Sequence, residues 1–254
     1  MCLAEQMKPA VLVTGGARRI GAAIARTFGN AGWHVVIHYG RSARDADYLA
    51  ASLPSAETVQ CDLADGAATK AMVETLAARL ADWRVLVNCA AVFPNDSASG
   101  LDPAVLAACM AVNAETPTRM AQAFLAHARA NGGRRVINLT DQKLANPNPD
   151  FFSYTMAKHA FAATIRMLAM TTEAADRVYG LAPGAILPSF DQMEDEHEIS
   201  GRMNLLSRLT DPQELADACL FMAQGWLASG ATVFVDSGQH LLAQPRDVLY
   251  LARA

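Results

Sequence analysis

The stretch Ala10-Val11-Leu12-Val13-Thr14-Gly15-Gly16-Ala17-Arg18-Arg19-Ile20-Gly21 decides how the rest of the chain is read. Its apolar start reads as a buried strand, and Thr14-Gly15-Gly16 as the point where that strand leaves a sheet. Beyond the glycines Ile20, Ile24 and Phe28 recur at helical spacing until Gly29-Asn30-Ala31-Gly32 stops the pattern. A strand that turns through glycines into a helix offers the free N–H groups of the helix's first turn to an anion. Gly15 permits the sharp turn, and Gly21 permits close packing of helix on sheet.

Outward from this turn the chain alternates strands and helices. Strands are expected at 34–39, 59–62, 85–88, 135–139, 178–182 and 232–235, after the first at 10–13. Helices are expected at 44–53, closed by Pro54, and at 67–80, with Met72, Leu76 and Leu80 on one side. Asp102-Pro103 is an N-cap with proline at the first helical position, starting a helix that runs to about Arg129 with a bend near Pro117. The longest apolar helix is expected at 152–172, and Asp211-Pro212-Gln213-Glu214 caps a last one. About seven strands separated by helices make a parallel sheet with right-handed crossovers and helices on both faces. With no linker and no repeat, residues 1–254 read as one α/β domain of the doubly wound, Rossmann type.

Composition agrees with a buried sheet: 254 residues, 52% hydrophobic and 18% charged. No apolar run reaches the roughly 18 residues of a membrane span, and the start Met1-Cys2-Leu3 has no secretory pattern. Met7 is a second possible start. The net charge is −4 with no basic helix face, which argues against nucleic acid as partner. Cys2, Cys61, Cys89, Cys109 and Cys219 form no C-x-x-C pair and read as small buried hydrophobes in a reducing compartment, the cytoplasm.

In such a sheet the ligand lies at the carboxyl ends of the strands, so Thr14–Gly21 reads as a dinucleotide-binding turn made by Gly15, Arg18, Arg19, Ile20 and Gly21. Arg19 stands where a middle glycine is usual, and its guanidinium suits a pyrophosphate. An acid at the end of the second strand would bind a ribose 2′-hydroxyl. The sequence there is instead His38-Tyr39-Gly40-Arg41-Ser42, so Tyr39, Arg41, Ser42 and Arg18 are candidates to receive a 2′-phosphate, and NADP(H) is favoured. Tyr154 and Lys158 are four apart on a helix, with roughly 5–6 Å between Cβ atoms. The ammonium is expected to lower the tyrosine's pKa from about 10 and so ready it for proton exchange.

These residues, with Asp62-Leu63, Asn88-Cys89-Ala90-Ala91, Asn113, Pro183-Gly184 and Val235-Asp236-Ser237-Gly238, resemble the short-chain dehydrogenase/reductases over nearly the whole chain. The resemblance implies that Asp62 and Leu63 contact adenine, that Asn88 and Ala90 line the cofactor groove, and that Pro183-Gly184 frames the nicotinamide. It also implies that Asn113 holds a water linking Lys158 to solvent. Cys89, Tyr179 and Ser237 depart from the usual residues without removing a catalytic group.

Asp141 stands where most of the family carry a serine that donates to a substrate carbonyl. An ionised aspartate only accepts hydrogen bonds, which suits a substrate with N–H groups or a proton relay. Thr140 should not substitute, because neighbouring strand residues face opposite ways. With Arg18-Arg19, the His38–Ser42 segment and Phe93, Asp141 makes the chain similar to the pteridine reductases. That similarity implies a phenylalanine stacking on the pterin, with Arg19, Asp141 and Tyr154 at the substrate and Tyr154, Lys158, Asp141 and Asn113 as the catalytic set. In those enzymes the Ala91 position is often serine.

The reading is therefore an NADPH-dependent oxidoreductase acting on a small pteridine-like molecule. Two alternatives stay open: a ketone reductase of the same family, and a non-catalytic NADPH sensor. Residues 187–209 are expected to cover the substrate, with their acids a solvated surface. Apolar surplus on 102–129 and 152–172, including Phe151, Phe152, Phe161, Met167 and Met170, points to a homotetramer.

Overall fold

The computed structural model describes residues 8–254; the readings of Cys2, Met7 and the absent secretory pattern lie outside the described residues. Seven strands, β1 (Ala10–Val13), β2 (His34–Tyr39), β3 (Ala56–Gln60), β4 (Trp83–Asn88), β5 (Arg135–Leu139), β6 (Arg177–Pro183) and β7 (Thr232–Val235), form one sheet. All pairs are parallel, in the order β3-β2-β1-β4-β5-β6-β7. The chain order reverses between β1 and β4, and that switch point opens a crevice at the carboxyl edge.

The period-two geometry of strands sorts the core into two layers. Val11, Val13, Val35, Ile37, Val85, Val87, Ile137, Leu139 and Leu181 point to one face. There they meet Ile24 and Phe28 of α1 (Arg19–Asn30), Leu49 of α2 (Ala43–Ser52) and, from Pro212–Ala223, Leu215 and Met222. Ala10, Leu12, Val36, Leu86, Val136 and Val178 point the other way. They meet Met72 and Leu76 of α3 (Gly66–Arg79), Met120 and Phe124 from Thr116–His127, and Ile165 from Phe152–Ala169. Each such side chain contributes about 1.5–3 kcal/mol by leaving water, so near-continuous apolar runs suit a sheet covered on both sides.

The expected helix of 102–129 is divided. α4 (Pro103–Met110) passes through a π-helical turn, Ala111–Glu115, into α5 (Thr116–His127). Pro117 follows directly, and because it has no N–H it cannot bond to the Asn113 carbonyl four residues back, so the helical ladder is interrupted there. Asn113 sits inside the π turn. The long helix α6 (Phe152–Ala169) stops before Thr172.

Residues 187–209 are not all loop, since α7 (Glu194–Gly201) lies within them. Glu194, Asp195 and Glu196 occupy its first turn, where carboxylates complement the helix dipole. α8 (Pro212–Ala223) and a short α9 (Val248–Ala252) follow. α9 and the segment before it fold back over the carboxyl edge of the sheet, which periodicity did not show. Of the surplus apolar residues, Phe151 and Phe161 are buried within the chain, Phe152 is half-buried, and Met167 and Met170 are exposed. No described helix is long and apolar enough to cross a membrane.

Candidate active site

The turn after β1 is held by its own Thr14 and by His38 of the neighbouring strand β2. Thr14 Oγ1 accepts the N–H groups of Cys89 at 2.9 Å and Ala90 at 3.0 Å. The Gly15 N–H donates to His38 Nδ1 at 3.1 Å, and His38 Nε2 donates to the Cys61 carbonyl at 3.0 Å. Burial pushes the His38 pKa down, so the ring stays neutral with its tautomer set by these partners. His38 is a structural pin of the turn that sequence reading treated only as part of a motif. Gly15 has φ +62°, and a Cβ there would stand 3.1 Å from Ala90 Cα. A Cβ on Gly21 would meet the Gly15 carbonyl oxygen at 2.2 Å, so only glycine lets α1 sit this close.

The first turn of α1 suits an anion. It contains no acidic residue, and its N-cap, Arg18, makes no side-chain capping bond. Ile20 is half-buried behind it. Arg19 takes φ +53°, a left-handed conformation costing about 1–2 kcal/mol for a residue with a side chain. Its guanidinium does not lie over the turn but crosses the cleft and donates to the Pro188 carbonyl at 2.8 Å. Arg18 lies 3.6 Å from Asp45 at the surface. Arg41 is exposed, Tyr39 and Ser42 are half-buried, and Ser42 caps α2 without a side-chain bond.

Asp62 is exposed and accepts the Ala64 N–H at 3.0 Å, while Leu63 is buried beside it. Asn88 is buried and ties strands together, donating to Asn138 Oδ1 at 2.9 Å and the Pro117 carbonyl at 3.2 Å. Asn113 clamps the loop after β4 with both ends of its amide: Oδ1 accepts the Val92 N–H at 2.9 Å and Nδ2 donates to the Val92 carbonyl at 2.8 Å. At the end of β6 a Cβ on Gly184 would lie 2.5 Å from Gln239 Oε1, which accepts the Ala185 N–H at 2.8 Å. Gln239 therefore shapes the Pro183-Gly184 turn, although no motif marks it. Burial pushes the Cys89 thiol up to about 12, which leaves it protonated and unreactive.

Asp141 and Tyr154 meet directly. Tyr154 Oη donates to Asp141 Oδ2 at 2.7 Å, and the Lys143 N–H donates to Asp141 Oδ1 at 2.9 Å. Lys158 Nζ donates to the Leu139 carbonyl at 2.7 Å and lies 5.6 Å from the Tyr154 ring centroid. The net shift of the tyrosine is nevertheless the reverse of that expected from sequence. Burial, then the Asp141 carboxyl, push the Tyr154 pKa well up, because both disfavour a second negative charge in a dry pocket. Burial also raises Asp141 against the opposing pull of Lys143, and lowers Lys158. Thr140 donates to the Leu181 carbonyl at 3.3 Å and does not replace a catalytic serine.

Phe93 stands over this pair. Its ring is edge-on to Tyr154 at 4.5 Å and stacked on Phe151 at 4.0 Å, with 42% of the residue exposed. Phe151 takes φ +52°, strained for a bulky residue, at the N-cap of α6. Arg19, Phe93, Asp141, Tyr154 and Gly184 line one cleft of about 780 Å³, and Phe190 and Tyr250 also contribute to its wall. Tyr250 reaches there from α9 and donates to Asn95 Oδ1 at 3.0 Å. Nothing in its local sequence announces this. The cleft can hold a flat ring between Phe93 and the carboxyl edge of the sheet, with a proton donor at its floor.

A family model described as enoyl-(acyl carrier protein) reductase matches residues 15–240. Pteridine reductase 1 of Leishmania tarentolae is 29% identical over 92% of this chain and 96% of its own. A ketoacyl reductase assigned to the granaticin polyketide synthase of Streptomyces violaceoruber is 28% identical over 92% and 97%. Among solved structures, FolM alternative dihydrofolate reductase 1 of Brucella canis, complexed with NADP, superposes with a TM-score of 0.88. It shares 32% identity over 95% of this chain and 97% of that one.

Proposed function

The chain belongs to the short-chain dehydrogenase/reductase family, and from that premise we propose that it is an NADPH-dependent reductase of a pteridine, a dihydropterin- or dihydrofolate-like ring. One observation carries the reading. A carboxyl group, Asp141, accepts the Tyr154 hydroxyl at 2.7 Å beneath the Phe93 ring, where a ketone reductase would place a serine donor. The relatives that act on pteridines and dihydrofolate, by their names, support it.

The residues present suit the cofactor. The uncapped first turn of α1, with Gly15, Arg18, Arg19, Ile20 and Gly21, offers N–H groups and positive charge to a diphosphate. Tyr39, Arg41 and Ser42 would face the 2′-phosphate, Asp62 and Leu63 the adenine, Asn88, Ala90 and Lys158 the groove, and Pro183-Gly184 the nicotinamide. When bound there, NADPH would supply the hydride for the carbon of a C=N bond. Phe93 and Arg19 hold the ring, and Tyr154 Oη gives its proton to the ring nitrogen. A tyrosine whose pKa is pushed up keeps that proton at neutral pH, as a donor must. Lys158 and Asp141 then govern its replacement, while the Asn113 side chain holds the loop after β4 through Val92.

NADPH oxidation with a dihydropterin and with small diketones tests the assignment. Faster turnover of the dihydropterin is expected. Preference for the diketone would leave a second reading, a ketone reductase with Asp141 protonated, which the ketoacyl reductase relative favours.

Arg41→Ala is expected to weaken NADPH about ten- to a hundredfold, with little effect on NADH, because one charge-assisted bond to the 2′-phosphate is lost. Titration of both cofactors checks it; equal weakening would assign Arg41 to the fold. We also place the protein in the cytoplasm as a homotetramer. α4, α5 and α6 supply the contact, on which Met156, Met167 and Met170 stand exposed. Sedimentation as a monomer at micromolar concentration would contradict this.

A further inference from the structure

We propose that Lys143, clamped by Asp247 from the carboxyl-terminal segment, is a positioning residue for the Asp141–Tyr154 pair, fixing the carboxyl group in place and setting which partner holds the shared proton. It rests on Tyr154 and Asp141 handling a proton, and not on the substrate being a pteridine.

The geometry is closed on every side. Lys143 is only 3% exposed, and Nζ lies 2.5 Å from Asp247 Oδ2 and 3.1 Å from Asn148 Oδ1. Its carbonyl meets His159 Nε2 at 3.2 Å, while its N–H holds Asp141 Oδ1 at 2.9 Å. One residue thus grips the carboxyl through its backbone while its own buried ammonium, held by Asp247, favours the ionised carboxyl. Asp247 is itself fixed: Oδ1 accepts the Leu249 N–H at 3.0 Å, capping α9, and its own N–H donates to Asp150 Oδ2 at 2.8 Å.

A purely structural staple is the competing explanation, and two observations weigh against it. The segment is already anchored by Arg246, whose guanidinium grips Asp150 at 2.7 and 2.8 Å. Buried ion pairs are also poor stabilisers, because the cost of removing both charges from water offsets their attraction. A cation kept at that cost beside a proton-handling carboxyl has an electrostatic effect there: it favours the ionised form of Asp141, which accepts from Tyr154. The charged and titratable groups facing Asp141 are Tyr154 and Lys158 from α6, Lys143 on its own turn, and Asp247 through Lys143. Cys109 and Asp247 also bear on Tyr154.

The test reads Asp141 directly. Its protonated-carboxyl infrared band, assigned by loss in Asp141→Asn, is titrated against pH in the whole protein. Lys143→Met is expected to move the midpoint up by about one pH unit or more, the effect of removing a neighbouring opposite charge. Lys143→Arg should restore it. If Lys143→Met fails to fold, Lys143→Met/Asp247→Leu removes both charges while keeping the site filled, and a smaller upward shift is expected. In steady state, kcat on whichever of dihydropterin or diketone is reduced should fall about tenfold with KM nearly unchanged. The acid limb of its pH profile should move up likewise. An unmoved midpoint in a folded variant would overturn the proposal. A moved midpoint with no dihydropterin turnover would count against the pteridine and leave Lys143 in its role.

Discussion

Tyr154→Phe is expected to abolish turnover and to leave NADPH affinity nearly unchanged. The substitution deletes one hydroxyl, the proposed proton donor, and keeps the ring that packs edge-on against Phe93 at 4.5 Å. It also leaves Asp141 Oδ2 without its 2.7 Å partner, which costs about 1–3 kcal/mol if the oxygen stays dry. A lower Tm is therefore expected beside the lost activity, and the two must be separated by assaying well below the transition. The pH dependence has a definite sign. As the proposed donor Tyr154 would act in its protonated form, and its pKa is pushed up, so wild-type reduction should not decline through the neutral range from tyrosine ionisation. Turnover within a few-fold of wild type, in a folded variant, would remove Tyr154 from the donor role.

Asp141→Ser has the second largest effect, and it separates the two functional readings. The carboxyl that accepts from Tyr154 and from the Lys143 N–H becomes a single hydroxyl. If Asp141 relays a proton toward a ring nitrogen, dihydropterin reduction should fall about 10²–10⁴-fold, the scale of general acid–base catalysis. NADPH binding should persist, since Asp141 lies on the substrate side of the cleft. A serine can also donate to a carbonyl oxygen, which an ionised carboxylate cannot, so weak diketone reduction should emerge. Paired steady-state assays on wild type and variant decide it. Unchanged dihydropterin turnover would overturn the role given to Asp141, and with it the pteridine reading.

The sequence by itself determined the parts that depend on near neighbours. Apolar runs and their periods located the seven strands and most helices, because burial of a strand or helix face is written in successive residues. Gly15 and Gly21 marked the tight turn after β1 because their need for missing side chains is local. Tyr154 and Lys158 could be paired because four residues along a helix is a fixed distance. Tertiary structure decided what depends on distant groups. The irregularity expected near Pro117 takes the form of a π turn around Asn113, whose amide is spent on Val92. Arg19 reaches Pro188, 169 positions away, where a local reading placed it over the turn. α9 brings Tyr250 and Asp247 to the site through contacts such as Arg246 with Asp150, 96 positions apart, and no period in the sequence records them. The direction of the Tyr154 shift was also beyond local reading. Spacing revealed the nearby lysine, but burial and the Asp141 carboxyl outweigh it, and those depend on how the whole chain excludes water from the cleft floor.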